Sequence, residues 1–158
     1  MTTSDAHKLS TLNVNQTPLL KNALGPGVDF QPLFIDTANG VWCIRALFAP
    51  GITLPSHLHT GPVHAYTLSG CWQYLEHPGQ DQTAGSYLYE PASQNTHTFH
   101  TPENNTGVTE IIFLVFGANV NFDQERNFHS VMDAGFIQQL ALGLSASQGH
   151  GQQHYIQA

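Results

Sequence analysis

Charge is scarce in this sequence. Asp, Glu, Lys and Arg supply 9% of its 158 residues, against about a quarter in ordinary globular domains. Four residues are basic, Lys8, Lys21, Arg45 and Arg126, and they are scattered along a chain whose formal net charge is -7. Nucleic acid is held by clustered Lys and Arg that neutralise phosphates, so that partner is excluded. A polybasic attachment to membrane lipid is excluded on the same ground. Cysteine is equally sparse: Cys43 and Cys71 form no disulfide framework, and reduced thiols are expected. No apolar run approaches eighteen residues, the length that marks a membrane-spanning helix. The first twenty residues are polar, without the apolar centre of a secretory signal, and a cytoplasmic location is the expectation. There is no internal repeat.

What is present is an ordinary apolar fraction, 41%, enough for one domain around one core. With so few charges, the surface must be built from Gln, Asn, Thr, Ser and His. Such a surface loses little when subunits meet, and a homodimer is expected. Histidine stands out. There are ten, more than Lys and Arg together, and histidine is the commonest transition-metal ligand.

Short runs of β-branched and aromatic residues, each closed by Gly or Pro, fall at 41–48, 64–68, 71–76, 85–89, 96–101 and 111–116. This punctuation predicts an all-β sandwich or barrel. One helix is expected late. Ser130 or Asp133 is placed to cap it, and Phe136, Ile137, Leu140 and Leu144 recur at helical spacing. The predicted organisation is an N-terminal arm over 1–30, a β-barrel over 31–130, and a C-terminal helix with a loose Gln/Gly/His tail over 131–158.

The chemistry is concentrated after Gly51. His57 and His59 are two apart, so on a strand both imidazoles point to one side. A strand over 85–89, a turn at Pro91 and then His97 offer a third imidazole from a facing segment. Three neutral nitrogens leave coordination positions open for water or substrate, which distinguishes a catalytic metal site from a closed structural one.

These two segments resemble the two motifs of the cupin superfamily. Gly51, His57, His59 and Gly70 fall at positions of the first, G-x5-H-x-H-x3,4-E-x6-G. Gly85, Pro91 and His97 fit the second, G-x5-P-x-G-x2-H-x3-N, with Ser93 in the place of a Gly and one extra residue before His97. The motif Glu, which in that family is usually a fourth ligand, falls on Val63 or His64, and neither is acidic. Its absence resembles the three-histidine branch, which includes the acetylacetone-cleaving and 2,4'-dihydroxyacetophenone dioxygenases. The resemblance spans about residues 40–118. It implies an RmlC-like jelly-roll barrel with one divalent transition metal per chain at His57, His59 and His97. Fe(II) is favoured, with Zn and Ni as alternatives.

Other residues carry two readings. His64 is either a further ligand, or base, beside the metal, or a residue on the opposite strand face from Val63; His100 is the rival of His97. Arg45, Tyr66, Trp72, Phe99 and Phe113 are candidates for a substrate pocket, and each is also an ordinary core or interface residue. Arg45 has the further alternative of an ion pair with Glu76 or Glu110. His150 and His154, in the tail, are expected to be solvated. The resemblance implies an iron dioxygenase that cleaves a carbon–carbon bond beside a carbonyl, with a small hydroxyketone or diketone and dioxygen as its substrates. The competitors are a zinc-binding sensory cupin without redox activity and a non-redox cupin isomerase.

Overall fold

The computed structural model describes residues 9–152 and 154–158. A short 3-10 helix (Val14–Gln16), twelve strands and one α-helix are found among them: β1 (Val28–Asp36), β2 (Val41–Phe48), β3 (His57–His59), β4 (Val63–Ser69), β5 (Cys71–Tyr74), β6 (Gln82–Thr83), β7 (Tyr87–Glu90), β8 (Phe99–His100), β9 (Thr109–Phe116), β10 (Asn119–Phe122), β11 (Phe128–Met132), α1 (Ala134–Ser147) and β12 (Ile156–Gln157).

A six-stranded sheet runs β12-β1-β2-β9-β4-β7. Two three-stranded sheets, β11-β10-β3 and β6-β5-β8, complete a jelly-roll that is not closed into a continuous barrel. Isolated bridges, His57 with His97 and Thr53 with His100, tie the smaller sheets together. Strict alternation in β2 sends Trp42, Ile44, Ala46 and Phe48 inward. Register extends that choice across the sheet, because cross-strand partners share a face. Trp42 lies beside Val115 and Val115 beside Val63; Ile44 lies beside Phe113 and Phe113 beside Ala65. Contact between the layers is aromatic: Phe48 on the large sheet meets Phe99 at 4.4 Å between ring centres, and Trp72 stacks on Phe99 at 5.1 Å. The Trp72 indole N–H donates to the Thr67 hydroxyl, so its one polar atom is satisfied inside the core.

Two motif glycines have a conformational reason. Gly51 turns the chain after β2 with φ +76°, and Gly70 joins β4 to β5 with φ +79°. A side chain at Gly70 would also collide with Thr109, whose Oγ1 lies 2.4 Å from where a Cβ would stand.

Helix α1 starts at the second of the two capping candidates: Asp133 Oδ1 accepts from the Phe136 N–H at 2.8 Å. Its buried face is Ala134, Ile137, Ala141 and Ser145, whereas Phe136 is exposed. Three further features differ from the sequence expectation. The hairpin β10–β11 follows the last expected strand. The expected strand over 96–101 shrinks to β8, because His97 pairs through a single bridge. The end of the chain is not loose. Tyr155 is buried, and Ile156 pairs in parallel with Phe34 on β1. Both cysteines are free, and burial pushes the Cys43 thiol up to about 11. No helix among the described residues is long and apolar enough to cross a membrane.

Candidate metal centre

His57 and His59 lie on β3 and face the same way, as their spacing requires. Strand β10 holds them from one side, Asn121 beside His57 and Asn119 beside His59. From the other side comes His97. Its N–H donates to the His57 carbonyl at 2.9 Å, and the His57 N–H donates to the His97 carbonyl at 3.0 Å. The third imidazole is therefore a cross-strand neighbour of the first, not a residue reaching over from a distant wall. Ring centres lie 4.9 Å apart for His57 and His59, 4.5 Å for His57 and His97, and 5.0 Å for His59 and His97. One nitrogen from each ring falls within 4.8 Å of the others, and all three side chains are buried.

Two of the rings are held through their Nδ1 atoms. His57 Nδ1–H donates to the Pro55 carbonyl at 3.1 Å, and His97 Nδ1–H donates to Glu90 Oε1 at 3.0 Å. Both bonds leave the Nε2 lone pair free, the tautomer a metal ligand needs. Burial, reinforced by the neighbouring imidazoles of His97 and His59, lowers the His57 pKa to about 3. Burial also lowers that of His59. At neutral pH these two rings are uncharged and able to coordinate. His97 Nε2 and both ring nitrogens of His59 are buried without a hydrogen bond, His59 Nε2 having only Glu90 Oε2 at 3.4 Å nearby. An unpartnered polar atom in a core costs roughly 1–3 kcal/mol. One nitrogen from each of His57, His59 and His97, all within 4.8 Å of one another and with the His59 and His97 rings short of partners, fits a bound cation.

Glu90 was missed by sequence reasoning. It ends β7, just before the motif proline, and points inward, while Tyr87 and Tyr89 point out. Besides His97 it accepts from the Tyr74 hydroxyl at 3.0 Å, and Oε2 lies 3.4 Å from His59 Nε2. Burial alone would raise its pKa, but the hydrogen bond from His97, the His59 and His97 rings and the Tyr74 hydroxyl outweigh that and hold it below the ordinary value. Burial and the Glu90 charge push Tyr74 well above its usual value, keeping it protonated as the donor. No local pattern in the sequence marks it: its inward side is set by the pairing of Glu90 with Val63 across β7 and β4. Asn119 was missed too; it is buried next to His59, with Oδ1 unpartnered.

The remaining sequence candidates separate by position. Phe99 and Phe113 line an apolar cavity that touches His57 and His59, together with Phe30, Trp42, Ile44 and Phe48. Its volume is about 60 Å3. Leu24, Leu54, Asn119 and Met132 belong both to this cavity and to an outer mouth of about 170 Å3 between the β10–β11 hairpin and Leu54–Pro55. Trp72 lies behind the cavity wall, in the core. Arg45 and Tyr66 are on the outer face of the large sheet, away from the cavity. Arg45 pairs there with Glu110, one of its two expected partners, and donates to Gln31 Oε1 at 2.6 Å. His64 is on that face as well, bonded to the Tyr87 hydroxyl; it follows the reading that sets it opposite Val63. His100 bonds the Thr53 hydroxyl at 2.9 Å and stays out of the cluster.

A jelly-roll enclosing an all-histidine cluster defines a cupin of the three-histidine kind. Residues 10–119 match the ChrR cupin-like domain, and the chain belongs to that family. A crystal structure from Ralstonia eutropha JMP134, a protein of unknown function with a cupin-like fold, is 48% identical over 96% of this chain and 93% of its own, with a TM-score of 0.89. Acetylacetone dioxygenase from Acinetobacter johnsonii shares the fold at a TM-score of 0.72 and 16% identity, over 91% of this chain and 97% of its own. Rhodobacter sphaeroides SigE in complex with the anti-sigma ChrR matches at a TM-score of 0.51 and 16% identity, over 65% of this chain and 51% of that one. A comparison with curated proteins finds no match.

Proposed function

We propose that this cupin is a metal-dependent dioxygenase that cleaves a carbon–carbon bond next to a carbonyl in a small diketone or hydroxyketone. The observation that carries the reading is the opening of the histidine cluster, through His57 and His59, onto an apolar cavity. A sealed structural site would have four protein ligands and no chamber. His57, His59 and His97 would hold the ion, Fe(II) by preference, and imidazole alone also admits Zn or Ni. Such an ion supplies a Lewis acid for the two oxygens of an enolised substrate and the redox chemistry that dioxygen requires.

The chain's own residues do the rest. Three neutral ligands offset less of the ion's positive charge than a ligand set with a carboxylate would, which favours an anionic enolate over a neutral ketone. Glu90 stays ionised and orients His97 through Nδ1, with Tyr74 fixing the carboxylate from its far side. The walls at Phe30, Phe48, Phe99 and Phe113 exclude water and receive the substrate's carbon substituent. A cavity of about 60 Å3 is well below the ~150 Å3 that accommodates benzene. The chamber therefore favours a short alkyl substituent over an aryl one. The fold shared with the Acinetobacter johnsonii enzyme supports this reading.

A second reading, a zinc-binding sensory cupin, is favoured by membership in the ChrR cupin-like family. Metal analysis of protein purified without chelators, followed by anaerobic iron reconstitution and oxygen-uptake assays with short diketones and hydroxyketones, separates the two. Uptake at one iron per chain is the expected result. Tightly bound zinc and no uptake from the iron-loaded protein would select the sensor.

A further inference from the structure

Two of the three clustered histidines have their Nδ1 accounted for. The Pro55 carbonyl accepts from His57 at 3.1 Å, and Glu90 Oε1 accepts from His97 at 3.0 Å. His59 is the exception, with both ring nitrogens buried and without a hydrogen bond. Opposite it on β10 stands Asn119, 8% exposed, whose Oδ1 is buried without one as well. Register sets how near the two side chains stand. The Thr60 N–H donates to the Ala118 carbonyl at 2.9 Å, and the Phe122 N–H donates to the Ser56 carbonyl at 2.8 Å. Hydrogen-bonded and non-hydrogen-bonded positions alternate along an antiparallel pair, so His59 and Asn119 are a non-hydrogen-bonded pair. That is the kind whose Cα atoms approach to about 4.5 Å and whose side chains lie closest. Being directly opposed, both side chains stand on one face.

We infer that Asn119 is a positioning residue of the metal centre: its Oδ1 accepts the Nδ1–H of His59 when an ion is bound, which leaves Nε2 of that ring to coordinate. Three observations lead there. First, a histidine that ligates a metal donates its other ring N–H to an acceptor, and that bond fixes tautomer and orientation. His59 and Asn119 are the complementary orphans of this site, one ring N–H to give and one amide oxygen that only accepts. Glu90 Oε2, the other acceptor near His59, already takes the Tyr74 hydroxyl at 3.0 Å. Second, Asn119 is out of place without such a role. It lines the apolar cavity with Phe30, Trp42 and Phe113, where an amide oxygen that meets no donor is costly. Third, the next such pair supplies a contrast. Asn121 faces His57 across the same two strands, but its amide is spent on the Ser130 hydroxyl at 3.2 Å. Burial lowers the His59 pKa; the Glu90 charge and the Asn119 amide oppose it, the amide as an acceptor directed at the ring does. Asn119 borders both the cavity and its outer mouth. The bond therefore ties the β10–β11 hairpin, which frames the mouth, to a metal ligand. The inference rests on metal binding by the three histidines and is independent of the dioxygenase reading.

The test uses the full chain loaded with zinc, a diamagnetic probe, and labelled with 15N at histidine. Two-bond proton–nitrogen correlation spectra tell which ring nitrogen of His59 carries the proton and which carries the metal. The expected result is a proton on Nδ1, slow to exchange with solvent, with a nuclear Overhauser contact to the Asn119 side chain. Asn119→Leu, close in shape but without the acceptor, should speed exchange of that proton at least tenfold. It should also weaken zinc binding by about 10–100-fold in competition with a chelator. Asn119→Asp restores the acceptor and should recover both. Asn121→Leu should leave the His59 proton as it is. A native spectrum with zinc on Nδ1 and the proton on Nε2, turned toward Glu90, overturns the inference, as does an Nδ1 proton with no contact to Asn119. So does a folded Asn119→Leu protein whose His59 exchange and zinc affinity match the native values. The native spectrum needs no variant, so a misfolded Leu protein does not shield the inference. Zinc content is measured first: a chain that binds none refutes the metal centre itself and this inference with it, whereas the other outcomes refute only the role of Asn119.

Discussion

His57 and His97 exchange both backbone hydrogen bonds, at 3.0 and 2.9 Å, and so form one antiparallel cross-strand pair. This pairing makes the register of a single bridge a condition for coordination. Opposed residues in such a pair put their side chains on one face. Sliding either segment by one residue would turn its imidazole outward. Replacing any one of the three histidines by Ala is expected to lower bound metal from one per chain to near zero. The backbone bridge is independent of the side chain, so the β-sheet circular dichroism should persist. Metal analysis beside far-ultraviolet spectra checks both halves; retention of metal in the His57→Ala protein would rule out the ligand set.

Glu90 supports the centre without belonging to the cluster. Removing a carboxylate that orients a metal-bound histidine typically costs 10–100-fold in affinity. Glu90→Ala should therefore weaken metal binding by about that factor, as measured by competition with a chromogenic chelator. Glu90→Gln keeps an acceptor for His97 Nδ1–H and should recover part of the loss. Equal affinities for the Ala, Gln and native proteins would remove Glu90 from this role.

The contrast between His97 and Glu90 shows what the sequence can disclose. The pair His57 and His59 is legible because strand parity is local, and His97 because a Gly-to-Pro turn precedes it. Glu90 is invisible to that logic, since its role depends on the pairing of β7 with β4, which sets Glu90 beside Val63 on the inner face. Arg45 and Tyr66 illustrate the same limit. Their residue types suit a pocket, but the register of β2 and β4 puts them on the outside. Four strands of the large sheet, β2, β4, β7 and β9, were readable as short apolar runs closed by Gly or Pro, whereas β1 and β12 were not. The β10–β11 hairpin was not, because Asn119, Asn121, His129 and Ser130 break the apolar pattern while serving the mouth of the cavity. The parallel pairing of Ile156 with Phe34 is a long-range contact that no local pattern announces.

Acid should destabilise the metal-free protein through His57. Its pKa in the fold is about 3, below the ordinary 6.5, because burial penalises the charged ring. The unfolded chain therefore binds a proton that the folded chain refuses, and stability falls as pH drops through the window from 6.5 toward about 3. His59, lowered in the same direction, adds to the slope. The loss should reach on the order of a few kcal/mol at 1.36 kcal/mol per unit. Urea midpoints of metal-free protein measured from neutral pH downward check it. In the His57→Ala protein the slope should be visibly shallower.

Phe113 forms part of the cavity wall. It lines the chamber beside the histidines, and its ring centre is 6.0 Å from that of Trp72 in the wall behind. Truncation to Ala removes a ring from a packed wall and should cost about 3 kcal/mol of stability. The space released is comparable with what a phenyl substituent needs, so the variant should accept aryl-substituted diketones or hydroxyketones that the native protein turns over poorly. Oxygen uptake for an alkyl and an aryl substrate of matched acidity gives the comparison, with the ratio of kcat/KM as the readout. The ratio should move at least tenfold toward the aryl substrate. A methylene in an apolar pocket is worth about 1–3 kcal/mol of discrimination, and a ring spans several. An unchanged ratio in a folded, metal-loaded variant would mean that the substituent does not occupy this chamber.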